Sequence, residues 1–328
     1  MRLAVDALNL RNDRRGMGRV VRSVLREAEK AGVDVTLLGI DKPTRSARRR
    51  DAYDVVWYPW NGIRFRAAAP SLAHIHDTFA LHERVNWIAR RRVQRPLRRA
   101  AREADRIATD STWSAEQIER ELRVSPERIV SIPLQPDAFF SPGEAESPQS
   151  LPSSPYVLMV GAGEPRKNAR LLAGAFADAF GGRDVQLVVV GSLAPDAEGE
   201  ARARAIALHI ESRIDDTRLR DLYRGAACVA VPSLAEGFGL VVVEAQACGA
   251  PVVASNASAL PEAAGNAALL VDPHDRAGWR DALREVIDDE SVALRLRALG
   301  ITRFGLGRRD EPARAILAAL RDLADHRA

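Results

Sequence analysis

Two glutamates in E-x7-E spacing, Glu236 and Glu244, bracket the segment Glu236-Gly237-Phe238-Gly239-Leu240-Val241-Val242-Val243-Glu244. Gly237 and Gly239 carry no Cβ, so backbone can approach a ligand closely there. The free N–H groups of a helix beginning at Leu240 favour an anion such as a phosphate. Carboxylates accept hydrogen bonds from hydroxyls, so the segment suits a ligand with both phosphate and hydroxyl groups. Read alone, it also fits a plain turn with two solvated glutamates. A second segment, Gly161-Ala162-Gly163-Glu164-Pro165-Arg166-Lys167-Asn168, sets two cations between a strand and a helix, a good place to neutralise a diphosphate. It lacks the third glycine of a dinucleotide fingerprint and the Gly-Lys-Ser/Thr of a P-loop. A solvated Arg-Lys pair is the plainer account.

His74 and His76 alternate along a strand and share a face, and with Asp77 nearby they would suit a metal-dependent hydrolase. His74 as a packed core residue is the plainer account. His82, His209, His274 and His326 form no second cluster, and no metal ligand is assigned. A basic run, Arg90, Arg91, Arg92, Arg95, Arg98 and Arg99 behind Trp87, would suit anionic lipid headgroups or a phosphorylated, lipid-linked acceptor. An arginine-rich solvated helix face is the alternative. No aromatic interleaving supports a nucleic-acid surface.

The elements that must carry these residues alternate strand and helix, the pattern of an α/β fold. Short, nearly continuous apolar runs at 3–8, 33–38, 55–58, 72–75, 106–109 and 129–132 are the form expected of parallel strands covered on both faces. Helical patterns fall at 19–31 and 114–122, and the basic run lies in a segment, 87–106, interrupted by Pro96. A Pro- and Ser-rich stretch, 141–155, reads as a linker. Beyond it the pattern restarts, with strands at 156–160, 185–190, 228–231 and 251–254 and helices at 168–180, 217–225, 240–248 and from 276 onward. Two α/β halves imply a cleft, with ligands at the carboxyl ends of the strands.

At 328 residues, 46% hydrophobic and 28% charged, the chain has the size of about two domains and is too apolar for disorder. Cys228 and Cys248 cannot build a disulfide framework, which points to a reducing, cytoplasmic setting. Asp6 interrupts the apolar amino terminus, unlike a secretory signal, and no apolar window is long enough to span a bilayer. The net charge of +4 hides an asymmetry: residues 1–150 hold 27 Lys+Arg against 20 Asp+Glu, the remainder 21 against 24. The two halves therefore face different surroundings.

Taken together, E-P-R-K-N, L-Y-R-G-A-A, V-P-S-L-A-E-G-F-G-L with its E-x7-E pair, E-A-Q-A-C-G-A-P-V-V-A-S and L-P-E-A-A-G-N-A-A-L-L-V-D-P resemble the retaining glycosyltransferases of family 4, with the GT-B fold of two Rossmann-like domains facing each other across a cleft. The amino-terminal half is similar more loosely, through G-M-G-R, I-H-D, A-D-R-I-A-T-D-S and S-P-E-R-I-V-S-I-P. The resemblance implies an acceptor-side domain over 1–145, a donor-binding domain over 151–305, and a terminal helix at about 306–328 packed back on the first. It implies that Arg166 and Lys167 hold the diphosphate of a nucleotide-sugar donor and that Glu236 touches sugar hydroxyls. The amides of Gly237, Phe238, Gly239 and Leu240 would contact sugar and phosphate, Glu244 the ribose, and Arg213 and Ile214 would border the base. Gly16 and Gly18 would approach the donor, and His76 would sit beside the transferred sugar, making His76 and Glu236 the catalytic pair. No divalent metal or other cofactor is implied. The acceptor would be a glycan, glycolipid or small molecule, with a lean to mannosyl or rhamnosyl transfer, and the enzyme could touch the inner membrane surface peripherally through residues 90–99. A catalytically silent GT-B binding module and a metal-dependent hydrolase are the alternatives.

Overall fold

The computed structural model describes residues 1–11, 16–49, 51–82, 87–146, 151–304 and 309–326; for 87–90, Trp87 and Arg90 included, it describes the backbone alone. Two compact units result, one from Met1–Leu134 with Asp310–Ala328, the other from Gln135–Arg309. The stretch expected as a linker thus falls within the second unit. Arg224 is the physical reason, since its Nε donates to the Ser141 carbonyl at 3.0 Å and its Nη1 to the Glu144 carbonyl at 2.8 Å.

In the first unit β1 (Arg2–Asp6), α1 (Gly16–Lys30), β2 (Asp34–Leu38), β3 (Val55–Tyr58), β4 (Ser71–His74), α2 (Trp87–Glu103), β5 (Arg106–Thr109), α3 (Thr112–Leu122) and β6 (Ile129–Ser131) follow one another. Their strands form a parallel sheet in the order β2-β1-β3-β4-β5-β6. Leu3 and Val5 pack on one face with Val21 and Val24 of α1, while Ala4 faces the opposite layer with Tyr58, Leu97 and Ile107. Covering both faces is why β1 reads as a continuous apolar run.

The second unit contains β7 (Tyr156–Val160), α4 (Ala169–Phe180), β8 (Gln186–Val190), α5 (Pro195–Ala203), β9 (Leu208–Glu211), α6 (Asp216–Gly225), β10 (Cys228–Val231), α7 (Leu240–Ala247), β11 (Val252–Ser255), α8 (Leu260–Ala264), β12 (Leu269–Val271), α9 (Arg276–Asp288) and α10 (Glu290–Arg303). Its sheet runs β12-β11-β10-β7-β8-β9, again parallel. A last helix, α11 (Glu311–Asp325), returns to the first unit, where Ile316 and Leu320 join the cluster around Leu3 and Val5. Sequence patterning misses α5, β9, α8 and β12. Strand β9 lies at a sheet edge with His209 and Ile210 exposed, so it shows no buried apolar run.

Pro96 does not interrupt α2, which continues through it to Glu103. The helix is held by tertiary contacts: the Ile63 amide donates to the Pro96 carbonyl at 3.1 Å, and Gln94 Nε2 donates to the Ala80 carbonyl at 3.0 Å. Gln94, Leu97, Ala100 and Ala101 form its buried face, which leaves most of the arginines outside.

Asp6 ends β1 without exposed surface. The Leu8 amide donates to its Oδ1 at 3.1 Å, and Oδ2 has no partner among the described residues. Burial pushes this carboxyl up to about 6, against the Leu8 amide and the Arg64 charge. The folded chain therefore holds an extra proton between pH 3.8 and about 6, and stability falls as pH rises through that window. An Asp6→Asn variant should match the parent near pH 4 and exceed it at pH 7 by on the order of 2 to 3 kcal/mol in urea unfolding. Coincident unfolding curves at pH 7 would contradict the account.

Candidate active site

In each sheet the strand order reverses once, between β7 and β10 in the second unit and between β1 and β3 in the first. Such a reversal opens a crevice beyond the carboxyl ends of the two strands. Beyond β7 the chain turns at Gly161, whose φ of +82° is costly for other residues, and passes through a single 3-10 turn, Pro165–Lys167. Asn168 then takes a left-handed conformation and donates from Nδ2 to the carbonyls of Pro232, at 3.2 Å, and Pro273, at 2.7 Å. The Leu234 amide donates to the Arg166 carbonyl at 2.7 Å. These bonds stitch the loop after β7 to the loop after β10.

Across that seam Lys167 Nζ donates to Glu236 Oε1 at 2.6 Å and Arg166 Nη1 to Oε2 at 2.8 Å. Ser233 Oγ donates to Oε1 at 2.7 Å, and the Glu236 amide donates to Ser258 Oγ at 2.8 Å. Burial opposes the charge on Glu236, but Lys167 and Arg166 outweigh it and hold the carboxyl below its ordinary range. The Glu236 side chain is 11% exposed and that of Lys167 13%, so losing either partner would strand a buried charge, at a cost of about 3–5 kcal/mol. Arg166, 30% exposed, also donates from Nε to Glu164 at 2.8 Å.

Gly237, Phe238 and Gly239 lead into α7. Phe238 is buried, and Gly239, at φ +117°, stands immediately before the helix. A Cβ there would lie 2.9 Å from Leu260 Cδ2, so both the turn and the packing of α8 require glycine. Leu240 opens α7, and Glu244 lies within it, buried, with the Tyr223 hydroxyl donating to its Oε2 at 3.3 Å. Arg213, exposed, and Ile214, half-buried, lie on the loop between β9 and α6, without a hydrogen bond to the Glu236 cluster. Ser233, Ser258, Asn168 and Tyr223 escape sequence reasoning. Serine and asparagine are common loop residues, and their role depends on which strand ends adjoin.

In the first unit Gly16 opens α1 and Gly18 is buried within it. His76, just past β4, is buried with both ring nitrogens engaged: Nδ1 lies 2.6 Å from Asp110 Oδ2 and Nε2 lies 2.9 Å from the Pro59 carbonyl. A carbonyl only accepts, as does an ionised carboxylate, so His76 is a donor at both nitrogens, an imidazolium. Its pKa is accordingly raised: burial works against the charge, and Asp110 prevails. His74 stacks on it with centroids 4.2 Å apart and reaches Asp110 Oδ1 through Nε2 at 2.7 Å. Its Nδ1 has no partner among the described residues, and burial together with the His76 charge lowers its pKa, so His74 is neutral.

The acid beside the two histidines is therefore Asp110 and not Asp77, whose Oδ1 instead accepts from the Phe79 amide at 3.0 Å. His74, His76 and Asp110 are the one group of potential metal ligands clustered among the described residues. Their distances are those of a hydrogen-bonded relay in which each carboxylate oxygen accepts from one ring. The sequence signal for Asp110 is a polar pair, Asp110-Ser111, immediately after the apolar end of β5.

Two family models match successive parts of the chain, Glycosyltransferase Family 4 over residues 41–134 and Glycosyl transferases group 1 over 143–301. The chain belongs to the family 4 glycosyltransferases. It is 32% identical over 219 residues to a D-inositol 3-phosphate glycosyltransferase of Rhodococcus opacus, an alignment covering 60% of this chain and 48% of that protein. It is 31% identical over 198 residues to an MMP alpha-(1->4)-mannosyltransferase of Mycolicibacterium hassiacum, covering 56% and 47%. The chain thus spans about half the length of these glycosyltransferases. In structure it is similar to a sucrose-phosphate synthase of Thermosynechococcus elongatus, with a TM-score of 0.79 at 21% identity over 98% of this chain and 99% of that one. That likeness establishes the GT-B fold of two Rossmann-like units. No described helix of this chain is long and apolar enough to cross a membrane.

Replacing Asp110 by Asn should remove the charge that keeps His76 protonated. In nitrogen-detected NMR the parent should show one buried imidazolium persisting above pH 6.5 and one buried neutral imidazole, His74. Asp110→Asn should leave both neutral at pH 7 and destabilise the protein by about 3–5 kcal/mol. An imidazolium surviving in the variant would refute the relay.

Proposed function

We propose that the protein is a retaining glycosyltransferase that moves a sugar from a nucleotide-diphosphate sugar to an acceptor hydroxyl. The observation that carries this reading is the convergence of Lys167 and Arg166 on Glu236 at the reversal point of the second sheet, beside the glycine turn that opens α7. An incoming diphosphate competes with Glu236 for the two cations, which the carboxylate already holds in place. Glu236, once relieved of part of that pairing, accepts hydrogen bonds from sugar hydroxyls. The amides of Gly237, Phe238, Gly239 and Leu240 supply donors at the start of α7. Glu244 takes the ribose, and Arg213 and Ile214 flank the base, at the edge of the same sheet. We assign Gly16, Gly18 and His76, the last a fixed positive charge held by Asp110, to the first unit's part in the same transfer.

The bond that breaks joins the anomeric carbon to the diphosphate oxygen, and negative charge grows on the departing phosphate. Lys167 and Arg166 stabilise that charge where it develops, so this reading requires no divalent ion. The acceptor oxygen bonds to the anomeric carbon on the face the diphosphate leaves. Its proton passes to the departing phosphate oxygen, which preserves configuration without a protein base. The similarity to a named mannosyltransferase agrees with a lean to mannosyl or rhamnosyl transfer.

Calorimetric titration with UDP-, GDP-, ADP- and dTDP-sugars, with and without chelator, tests the reading. At least one donor should bind and undergo slow hydrolysis that chelator leaves unchanged. Glu244→Ala should weaken donor binding about tenfold, the loss of one hydrogen bond to a charged group. Lys167→Met should lower turnover by roughly a hundredfold or more. Failure to bind any donor would reject the transferase, and loss of hydrolysis with chelator would reject the metal-free mechanism.

A further inference from the structure

The first sheet has its own reversal point, between β1 and β3, and a hollow of about 1060 Å³ lies there. Asn9 follows β1, Trp60 and Asn61 follow β3, and α2 supplies much of the remaining wall. Arg64, Arg91, Arg92, Arg95 and Arg99 line it, and no carboxylate among the described residues does. Arg99 is paired with Glu103 at 2.9 Å, and Arg64 Nη1 donates to Asn9 Oδ1 at 3.0 Å. The side chains of Arg91, Arg92 and Arg95 make no ion pair or hydrogen bond with any described residue. Resting on the transferase reading above, we propose that this hollow binds the acceptor and that the acceptor carries a phosphate.

Like charges gathered around one concavity repel, and a bound anion relieves the repulsion. Guanidinium forks match the geometry of phosphate oxygens, and a concave site selects a discrete phosphate group where a flat surface would not. The placement of the arginines is built into the backbone. Gly62 sits at φ +116°, and a Cβ there would lie 2.5 Å from the Pro96 carbonyl carbon. With the bond from the Ile63 amide to the Pro96 carbonyl, this close approach locks the basic helix to the loop after β3.

The same loop holds His76. Pro59 offers its carbonyl to Nε2, and Asn61 Oδ1 accepts from the His76 amide at 3.0 Å. Asn61 thus borders the hollow and touches the residue assigned to the transferred sugar. A phosphate seated among the arginines would leave the body of the acceptor against Trp60 and Asn61, close to His76. The volume suits a sugar or polyol phosphate, or the headgroup of a phospholipid-linked acceptor.

The test titrates the full chain with myo-inositol 1-phosphate and glucose 6-phosphate, each against its unphosphorylated parent. Flotation with phosphatidylglycerol and phosphatidylcholine vesicles runs in parallel. Arg91→Gln/Arg95→Gln, two exposed positions, is measured alongside, together with its donor affinity. A phosphorylated compound should bind at least tenfold tighter than its parent, and the preference should fall about tenfold in the double variant and weaken with salt. Variant-sensitive binding to phosphatidylglycerol vesicles without binding of the soluble phosphates would assign the phosphate to a lipid headgroup. No preference for phosphate in either arm, or a preference unchanged in the double variant, would overturn the proposal. Absence of donor binding in parent and variant alike would instead defeat the transferase reading and leave phosphate binding standing, so the two failures are separable.

Discussion

In a parallel sheet covered by helices on both faces, every strand releases its chain at the same edge, and only at a reversal of strand order do two neighbouring loops diverge. This chain has two such sheets, and the Glu236 cluster and the arginine-lined hollow lie at their two reversal points. The loops after β7 and β10 bring Arg166 and Lys167 to Glu236, and the loops after β1 and β3 frame the arginine-lined hollow. Covalent spacing alone would leave Lys167 and Glu236 far apart. The sheet order makes them hydrogen-bonded neighbours.

Charge is managed differently at the two edges. In the second unit the decisive cations are few, largely buried and matched to one carboxylate, an arrangement a phosphate can enter by exchange. In the first unit the histidine relay is internally neutral, with Asp110 balanced by His76 while His74 stays uncharged. The arginines of α2 are instead largely exposed and carry much of the unit's positive excess. Asp6 adds a buried carboxyl at the end of β1 that burial makes hard to ionise.

Several elements are visible in the residues themselves. Runs such as Val55–Tyr58 and Cys228–Val231 are apolar throughout because both sides of each strand are buried, and their bounds agree between pattern and structure. Edge strand β9 is invisible to the same test, because half its residues face solvent. Pro96 reads as a break because proline removes an amide from a helix, yet α2 continues, since Ile63 and Gly62 supply contacts that local preference does not include. Asp77 is nearest to His76 in sequence, but the partner is Asp110, delivered by the neighbouring strand β5.

What the sequence determined by itself was the α/β class, the two-sheet organisation, and the local chemistry of the turns around Lys167 and Gly239, because periodicity and turn residues act over a few positions. Tertiary structure decided which side chains meet: Glu236 with Lys167 and Arg166, Asp110 with both histidines, and α2 with the loop after β3. Those meetings depend on strand order and on single close approaches such as Gly62 against Pro96, and neither leaves a mark in any local window of sequence.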